Sequence, residues 1–319
     1  MAYVCIPEQE FTPEQEFYYL ENFPPLGYYY PPTPPPSFPQ LDCQILKLKL
    51  NREQMHKNGY PMIMFNEVHI EPNEYQRNRK MFVSDHDLNR VCVRCCTHFS
   101  VEPSGLQKRS DTPICRDRTT GNLQNFHITD QQSETLLKKF EFAPSDNSNI
   151  EAQMFAIDVE MVFTARGQAV GRVTLIHQSG QTLVDELVRP KDEVFDPMTR
   201  YSGLVIEDFA NATETLESVR YKLFQFITTG SILVGHGLYG DLKALGIIHH
   251  NVIDTSVIFS YNGRRPSLRH LASRHLGWQI QQETHCSQED ALASLSLVFF
   301  GAENPQFLAE DFKHLLMRF

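Results

Sequence analysis

Asp158 and Glu160 stand two positions apart inside the apolar run M-F-A-I-D-V-E-M-V-F. Such a run reads as a buried strand, and residues two apart on a strand point to the same face. Two carboxylates aimed into one buried place repel and lose hydration unless something compensates. Mg²⁺ and Mn²⁺ provide that compensation, because hard divalent cations prefer carboxylate oxygens. A solvated strand face is the simpler alternative, and flanking Ala156, Ile157, Val159 and Met161 weigh against it. Further acids occur at Asp241 in G-H-G-L-Y-G-D-L and, with His285, at Asp290 in H-C-S-Q-E-D. Together they point to metal-assisted phosphodiester hydrolysis.

The surrounding pattern says what scaffold would bring these residues together. Met154–Val162 reads as a buried strand, Gly171–His177 as a second and Thr182–Val188 as a third, joined by short turns into an antiparallel meander. A helix is predicted from Thr213 or Glu214 to about Ile227, then a short strand over Ser231–Gly235. A second helix runs from Leu238 to near Gly246, followed by a strand at Val252–Asp254. Ser267 is read as the cap of a helix through His275, and Ser287 as the cap of a final helix through about Phe300. A meander followed by alternating helices and strands predicts a mixed α/β sheet flanked by helices, the ribonuclease H-like layout.

Three regions are expected: a tail over 1–42, a small N-terminal region over 43–150 and the mixed α/β domain, bearing the acids, over 151–319. The tail holds ten of the nineteen prolines and six of the twelve tyrosines, with the repeat P-E-Q-E-F-T-P-E-Q-E-F. It is expected to be extended and largely disordered, either docking a proline- or aromatic-reading protein or having no partner. In the middle region N-G-Y-P marks a turn. Arg77, Arg79 and Lys80 read as a solvated loop, with an RNA backbone or import-receptor contact as the alternative. Cys92-Val-Arg-Cys95 has the spacing of a metal knuckle, and Cys115 with His98 or His127 would complete four ligands. No closely spaced second pair follows, so reduced cysteines in a small packed subdomain are favoured over structural zinc.

The formal charge of −10 does not exclude a nucleic-acid substrate. Six acids and no Lys or Arg lie in residues 1–42, leaving −4 for the rest, and the four proposed site carboxylates supply as much. The balance argues only against tight non-specific coating of DNA. No apolar stretch has bilayer length, and Met1–Glu10 lacks the layout of a signal peptide, so an intracellular chain without membrane association is expected. Seven cysteines do not resemble a secreted disulfide framework.

D-x-E, an Asp after a short strand, and H-x₄-D together resemble the DEDDh class of 3′-to-5′ exonucleases. The likeness is closer to the RNA exonuclease 1 (Rex-type) family over about residues 153–300. It rests on I-D-V-E-M, G-R-V-T-L-I, V-R-P-K-D-E-V-F-D-P-M-T-R-Y-S-G-L, G-H-G-L-Y-G-D-L-K-A-L, V-I-D-T-S-V-I-F, S-L-R-H-L-A and H-C-S-Q-E-D-A, in that order. N-G-Y-P and R-V-C-V-R-C are similar to sequence upstream of the family's nuclease domain, though the later cysteines and histidines depart from its pattern. Val159 stands where the family has Cys.

The resemblance implies that Asp158, Glu160, Asp241 and Asp290 hold two Mg²⁺ or Mn²⁺ ions, with His285 taking a proton from water. It also implies that Met161, Ser202, Gly203 and Leu204 contact the terminal nucleotide, with His236 structural or adjacent to substrate. Arg172, Arg200 and Arg269 are read as bracing the fold rather than meeting phosphate. The implied reaction trims RNA 3′ ends to nucleoside 5′-monophosphates, and the family favours the nucleus. A DNA 3′ exonuclease and a non-catalytic RNA-binding adaptor are the alternatives.

Overall fold

The computed structural model describes residues 43–71, 82–84, 86–108, 114–118, 121–133, 139–145 and 152–317. The tail expected over 1–42 and the basic cluster at Arg77, Arg79 and Lys80 lie outside the described residues. Among the described residues no helix is long and apolar enough to cross a membrane.

A small hairpin pairs β1 (Asn89–Val91) with β2 (His98–Ser100). The main sheet follows, made of β3 (Met154–Thr164), β4 (Gly167–His177), β5 (Thr182–Leu187), β6 (Val194–Asp196), β7 (Ile232–Gly235) and β8 (Val252–Asp254). Strand order is β5-β4-β3-β7-β8, and β6 pairs with the far end of β3. The first three strands are antiparallel, whereas β3–β7 and β7–β8 are parallel. This is the mixed sheet expected from the meander and the alternation after it. β3 is buried along nearly its whole length, as befits a central strand covered on both faces.

The helices of this part of the chain include α1 (Thr199–Ser202), α2 (Leu216–Leu223), α3 (Tyr239–Leu245), α4 (Leu268–Leu271), α5 (Ser287–Glu303) and α6 (Glu310–Met317), with a further single turn at Thr255–Ile258. Thr215 caps α2 by accepting from the Ser218 amide, so the helix starts and stops inside the predicted span. Ser267 caps α4 as its sequence position suggests, accepting from the His270 amide, and the path continues as a wide turn through Leu276. Two expectations for the last helix need correction. Ser287 is the first helical residue rather than the cap; its hydroxyl lies 2.7 Å from Thr174 Oγ1 on β4. Nor is α5 the final helix, because α6 follows and buries Phe312 and Leu316 in the same core.

Described residues within 43–150 contribute to two cores. Ile45, Leu48, Leu50, Met55, Tyr60 and Met62 join the core of the main sheet. The Leu50 amide bonds the Val252 carbonyl at 2.9 Å, and the Tyr60 hydroxyl donates to Asp254 Oδ2 at 2.7 Å. A second, smaller core gathers Cys92, Cys95, Phe99, Val101, Cys115 and Ile128 onto Phe163 of β3.

Candidate active site

The register of the sheet puts the carboxylates together. β3 pairs with β7 from Met154↔Ile232 to Ala156↔Val234, and β7 then turns away at Gly235. Asp158 therefore emerges where the parallel pair has parted, at the carboxyl end of β7, the usual ligand position in open α/β sheets. On the other side β3 faces β4 with Asp158↔Thr174 and Glu160↔Arg172, and a bulge between Glu160 and Met161 resets the register. Bulges of this kind re-aim side chains beside functional sites.

Thr174 and Arg172 fix the helix that completes the site. Thr174 meets Ser287, and Arg172 forms a bidentate pair with Asp185 at 2.7 Å on each arm, while Asp185 also accepts from Gln288 at 2.8 Å. Arg172 thus braces the fold, as its sequence reading suggests. The start of α5 is pinned over the face carrying Asp158 and Glu160, and Asp290 turns inward from its first turn.

Oxygens of Asp158, Glu160 and Asp290 all lie within 4.8 Å of one another. Glu160 and Asp290 are almost wholly buried, at 6% and 3% exposure. Glu160 Oε1 is buried with no hydrogen-bond partner. Burial, then the charges of Asp158, Asp290 and Asp241, push the Glu160 carboxyl up to about 10. Asp241, in the first turn of α3, stands outside that tight triad. Burial and then the charge of Asp158 hold its carboxyl well above the usual range. Glu160 and Asp241, both raised by acidic neighbours, mark a site short of positive charge. An orphaned buried carboxylate oxygen beside two more is the donor set a hard cation requires, so the residues fit the ions the resemblance implies.

His285 Nδ1 lies 3.5 Å from Asp290 Oδ2, and the Gln281 side-chain amide donates to that same oxygen at 2.8 Å. Partial burial and then the nearby charge of Arg269 lower the His285 pKa below the ordinary histidine value. Tyr201 meets the His285 ring edge-on at 6.1 Å. Gly203 passes so close that a Cβ there would sit 2.6 Å from the His285 carbonyl oxygen, and its φ of +68° also favours glycine. The turn over 199–204 is therefore seated directly on the His285 loop.

Within that turn, the Ser202 hydroxyl donates to the Pro197 carbonyl at 2.5 Å and accepts from the Leu204 amide. Leu204 is buried, packed where a Cβ on Gly171 would clash with it. Met161 is half-buried against the main core. His236 Nδ1 lies 2.9 Å from Thr255 Oγ1, and burial lowers its pKa to about 4. Thr255 Oγ1 also reaches the Gly235 carbonyl, and the His236 ring donates to the Pro266 carbonyl, so the imidazole is held between two partners. Arg200 stacks over Tyr201, and both are exposed.

Asp254 went unassigned in the sequence. It is fully buried and accepts from Tyr60, the Gly237 amide and both the amide and hydroxyl of Ser256. It thereby fixes the loop leading from β7 into α3 and Asp241. The D-T-S cap pattern was its available signal; Tyr60, 194 residues away, had none.

No family model matches the chain. Among curated relatives, "Putative RNA exonuclease pqe-1" of Caenorhabditis elegans is 32% identical over 86% of this chain and 19% of that protein. "RNA exonuclease 3" of Candida albicans is 30% identical over 81% of this chain and 68% of that protein. The human "RNA exonuclease 1 homolog" is 30% identical over 82% of this chain and 24% of its own length. The chain thus spans about a fifth of the worm relative and a quarter of the human one. Among solved structures, the Pan2 catalytic unit of Neurospora crassa aligns at a TM-score of 0.46 with 27% identity, over 56% of this chain and 32% of that one. With two-thirds of a 30%-identical RNA exonuclease covered by one continuous likeness, the chain belongs to the Rex-type RNA exonuclease family.

Proposed function

We propose that this chain is a divalent-cation-dependent exoribonuclease that shortens RNA from the 3′ end and releases nucleoside 5′-monophosphates. The observation that carries the reading is the convergence of Asp158, Glu160 and Asp290 within 4.8 Å, with Glu160 Oε1 buried and unpartnered. Asp158, Glu160, Asp290 and neighbouring Asp241 would hold two Mg²⁺ or Mn²⁺ ions. When bound, such ions polarise the scissile phosphate and make water acidic enough to attack near neutral pH.

The chain's own side chains do the remaining work. With Nδ1 of His285 turned toward Asp290, Nε2 is the nitrogen available to accept the proton of the attacking water. Its lowered pKa keeps it neutral, and so ready to accept, at pH 7. The seated turn over 199–204 limits how far the RNA 3′ end can advance past His285. Arg269 is exposed and its charge is felt at His285, a placement suited to a phosphate rather than to a brace.

The test is digestion of a 5′-labelled single-stranded RNA by the purified full chain with Mn²⁺. A ladder shortening from the 3′ end, with 5′-monophosphates released, is expected. Chelator and Asp158→Ala should each abolish it, and His285→Ala should slow it by about 10²–10⁴-fold. Preferential digestion of a matched DNA would favour the DNA exonuclease reading. Activity surviving Asp158→Ala would remove the site from the chemistry.

A further inference from the structure

The cysteine cluster is a second donor set, remote in sequence from the carboxylates. Cys92, Cys95, Cys115 and His127 each offer one ligand atom, and these four atoms lie within 4.8 Å of one another, all on buried residues. Cys92 Sγ and Cys115 Sγ are 3.7 Å apart, and Cys95 Sγ lies 3.3 Å from His127 Nδ1. A disulfide requires about 2.0 Å between sulfurs, so Cys92 and Cys115 are not joined. Tetrahedral zinc, with Zn–S of about 2.3 Å and Zn–N of about 2.0 Å, has S···S edges of about 3.8 Å and S···N edges of about 3.5 Å. The Cys92–Cys115 and Cys95–His127 separations match those edges to within about 0.2 Å, and the other pairs stay under 4.8 Å. Such a span encloses one ion and is too tight for an iron–sulfur cluster.

The backbone is shaped accordingly. Cys92 and Cys95 sit at the tip of the β1–β2 hairpin, where the Cys92 amide bonds the Thr97 carbonyl and the Cys96 amide bonds the Cys92 carbonyl. Cys96 has a φ of +57°, the left-handed step that closes this tight knuckle. Cys115 comes from a two-residue strand, Cys115–Arg116, and His127 from the segment tied back by the Val93 amide to the Ile128 carbonyl. The His127 ring stacks on Phe99 with centroids 5.1 Å apart, and its own amide bonds Gln107, so the imidazole is fixed. His98, the other candidate from the sequence, is exposed on β2 and takes no part.

We propose that Cys92, Cys95, Cys115 and His127 bind one structural zinc ion, whose module braces the turn against His285. Reduced cysteines without metal were favoured in the sequence because no close second pair follows the knuckle; folding supplies that pair from two separate segments. The module is joined to the nuclease by particular contacts. Arg94, between the knuckle cysteines, pairs with Asp196 on β6 and stacks over Phe126, which in turn packs on Phe195 at 4.7 Å. Asp196 accepts from the Met198 amide at the start of α1, and Met198 packs on the cysteine core. The ion thus holds the base of the 199–204 turn.

Metal content of the purified full chain after dialysis against EDTA decides the matter. About one zinc per chain is expected, retained in Asp158→Ala and lost in Cys115→Ser. If Cys115→Ser fails to fold, two other measurements stand in. A thiol-reactive mercurial should release the ion from wild-type protein to a chromophoric chelator, and His127→Cys should keep it. Hydrogen exchange should then rise over 193–204 on release, with α5 unchanged. A folded protein holding less than about a tenth of an equivalent would overturn the site. So would zinc lost in Asp158→Ala but kept in Cys115→Ser. Unchanged exchange over 193–204 would overturn the bracing. None of these readouts depends on nuclease activity.

Discussion

At Glu160 burial and neighbouring charge act in the same direction, and the result is a stability cost that function imposes. An acid whose folded pKa stands near 10 binds a proton that the unfolded chain, with a carboxyl near 4.5, has already released. Without cations, stability therefore falls as pH rises above about 4.5 and goes on falling toward about 10. Glu160→Gln removes that penalty, and its amide can donate to the acids beside it. In chelator at pH 7 the variant should melt a few degrees higher, about 1–3 kcal/mol of stabilisation, while losing activity. Calorimetry of both proteins checks it; an unchanged or lower melting temperature would contradict the proposed conflict. The Asp158–Glu160 pair was legible because two acids at strand spacing inside an apolar run are hard to explain otherwise. Leu204 and Ser202 were harder, since only packing shows that the leucine fills the space beside Gly171 and that the serine hydroxyl is used within its own turn.

Between elements the decisive contacts join segments far apart in sequence. The α5 start is set by Thr174–Ser287, 113 residues apart, and the 199–204 turn is seated on the 285 loop through Gly203. Gly203→Ala should push that loop away from Asp290. A drop in kcat of about tenfold or more is expected, with a melting temperature lowered by only a few degrees. Single-turnover kinetics measure it; wild-type rates would show that the two loops do not depend on one another. Strand and helix periodicity made the sheet readable, but a serine before a helix reads as a cap whether or not its hydroxyl is spent elsewhere. Cys115 and His127 could be named as candidate ligands, but choosing His127 over His98, or metal over bare thiols, was out of reach for a related reason. Their segments are held by two-residue strands and single hydrogen bonds, which carry no periodic signal.

Across the whole molecule, buried histidines set an acid limit. Burial lowers His249 to about 4, and burial with the charge of Arg274 lowers His275 to about 3, both on side chains almost closed to solvent. Unfolded histidines protonate near pH 6.5, so the unfolded state binds more protons below that value. The stability these rings contribute is complete above about 6.5 and is lost as pH falls toward 3–4, about 2 kcal/mol for each between pH 6.5 and 5. Urea unfolding should show the midpoint dropping over that interval. Glu160→Gln with Asp241→Asn is the background to use, since both raised acids pull the other way; a flat midpoint there would argue against the buried neutral rings.

Tyr60 and Leu50 reach the outer edge of the main sheet from outside the stretch that carries the clustered carboxylates. A fragment cut to begin at 151 would strip a hydroxyl donor from the aspartate that fixes the Gly237 loop and leave a ring-sized gap beside Tyr239. The smallest self-sufficient unit bearing the candidate site accordingly starts upstream of Leu50, and the segment before the cysteine knuckle is as much a part of it as the strands that bear the acids.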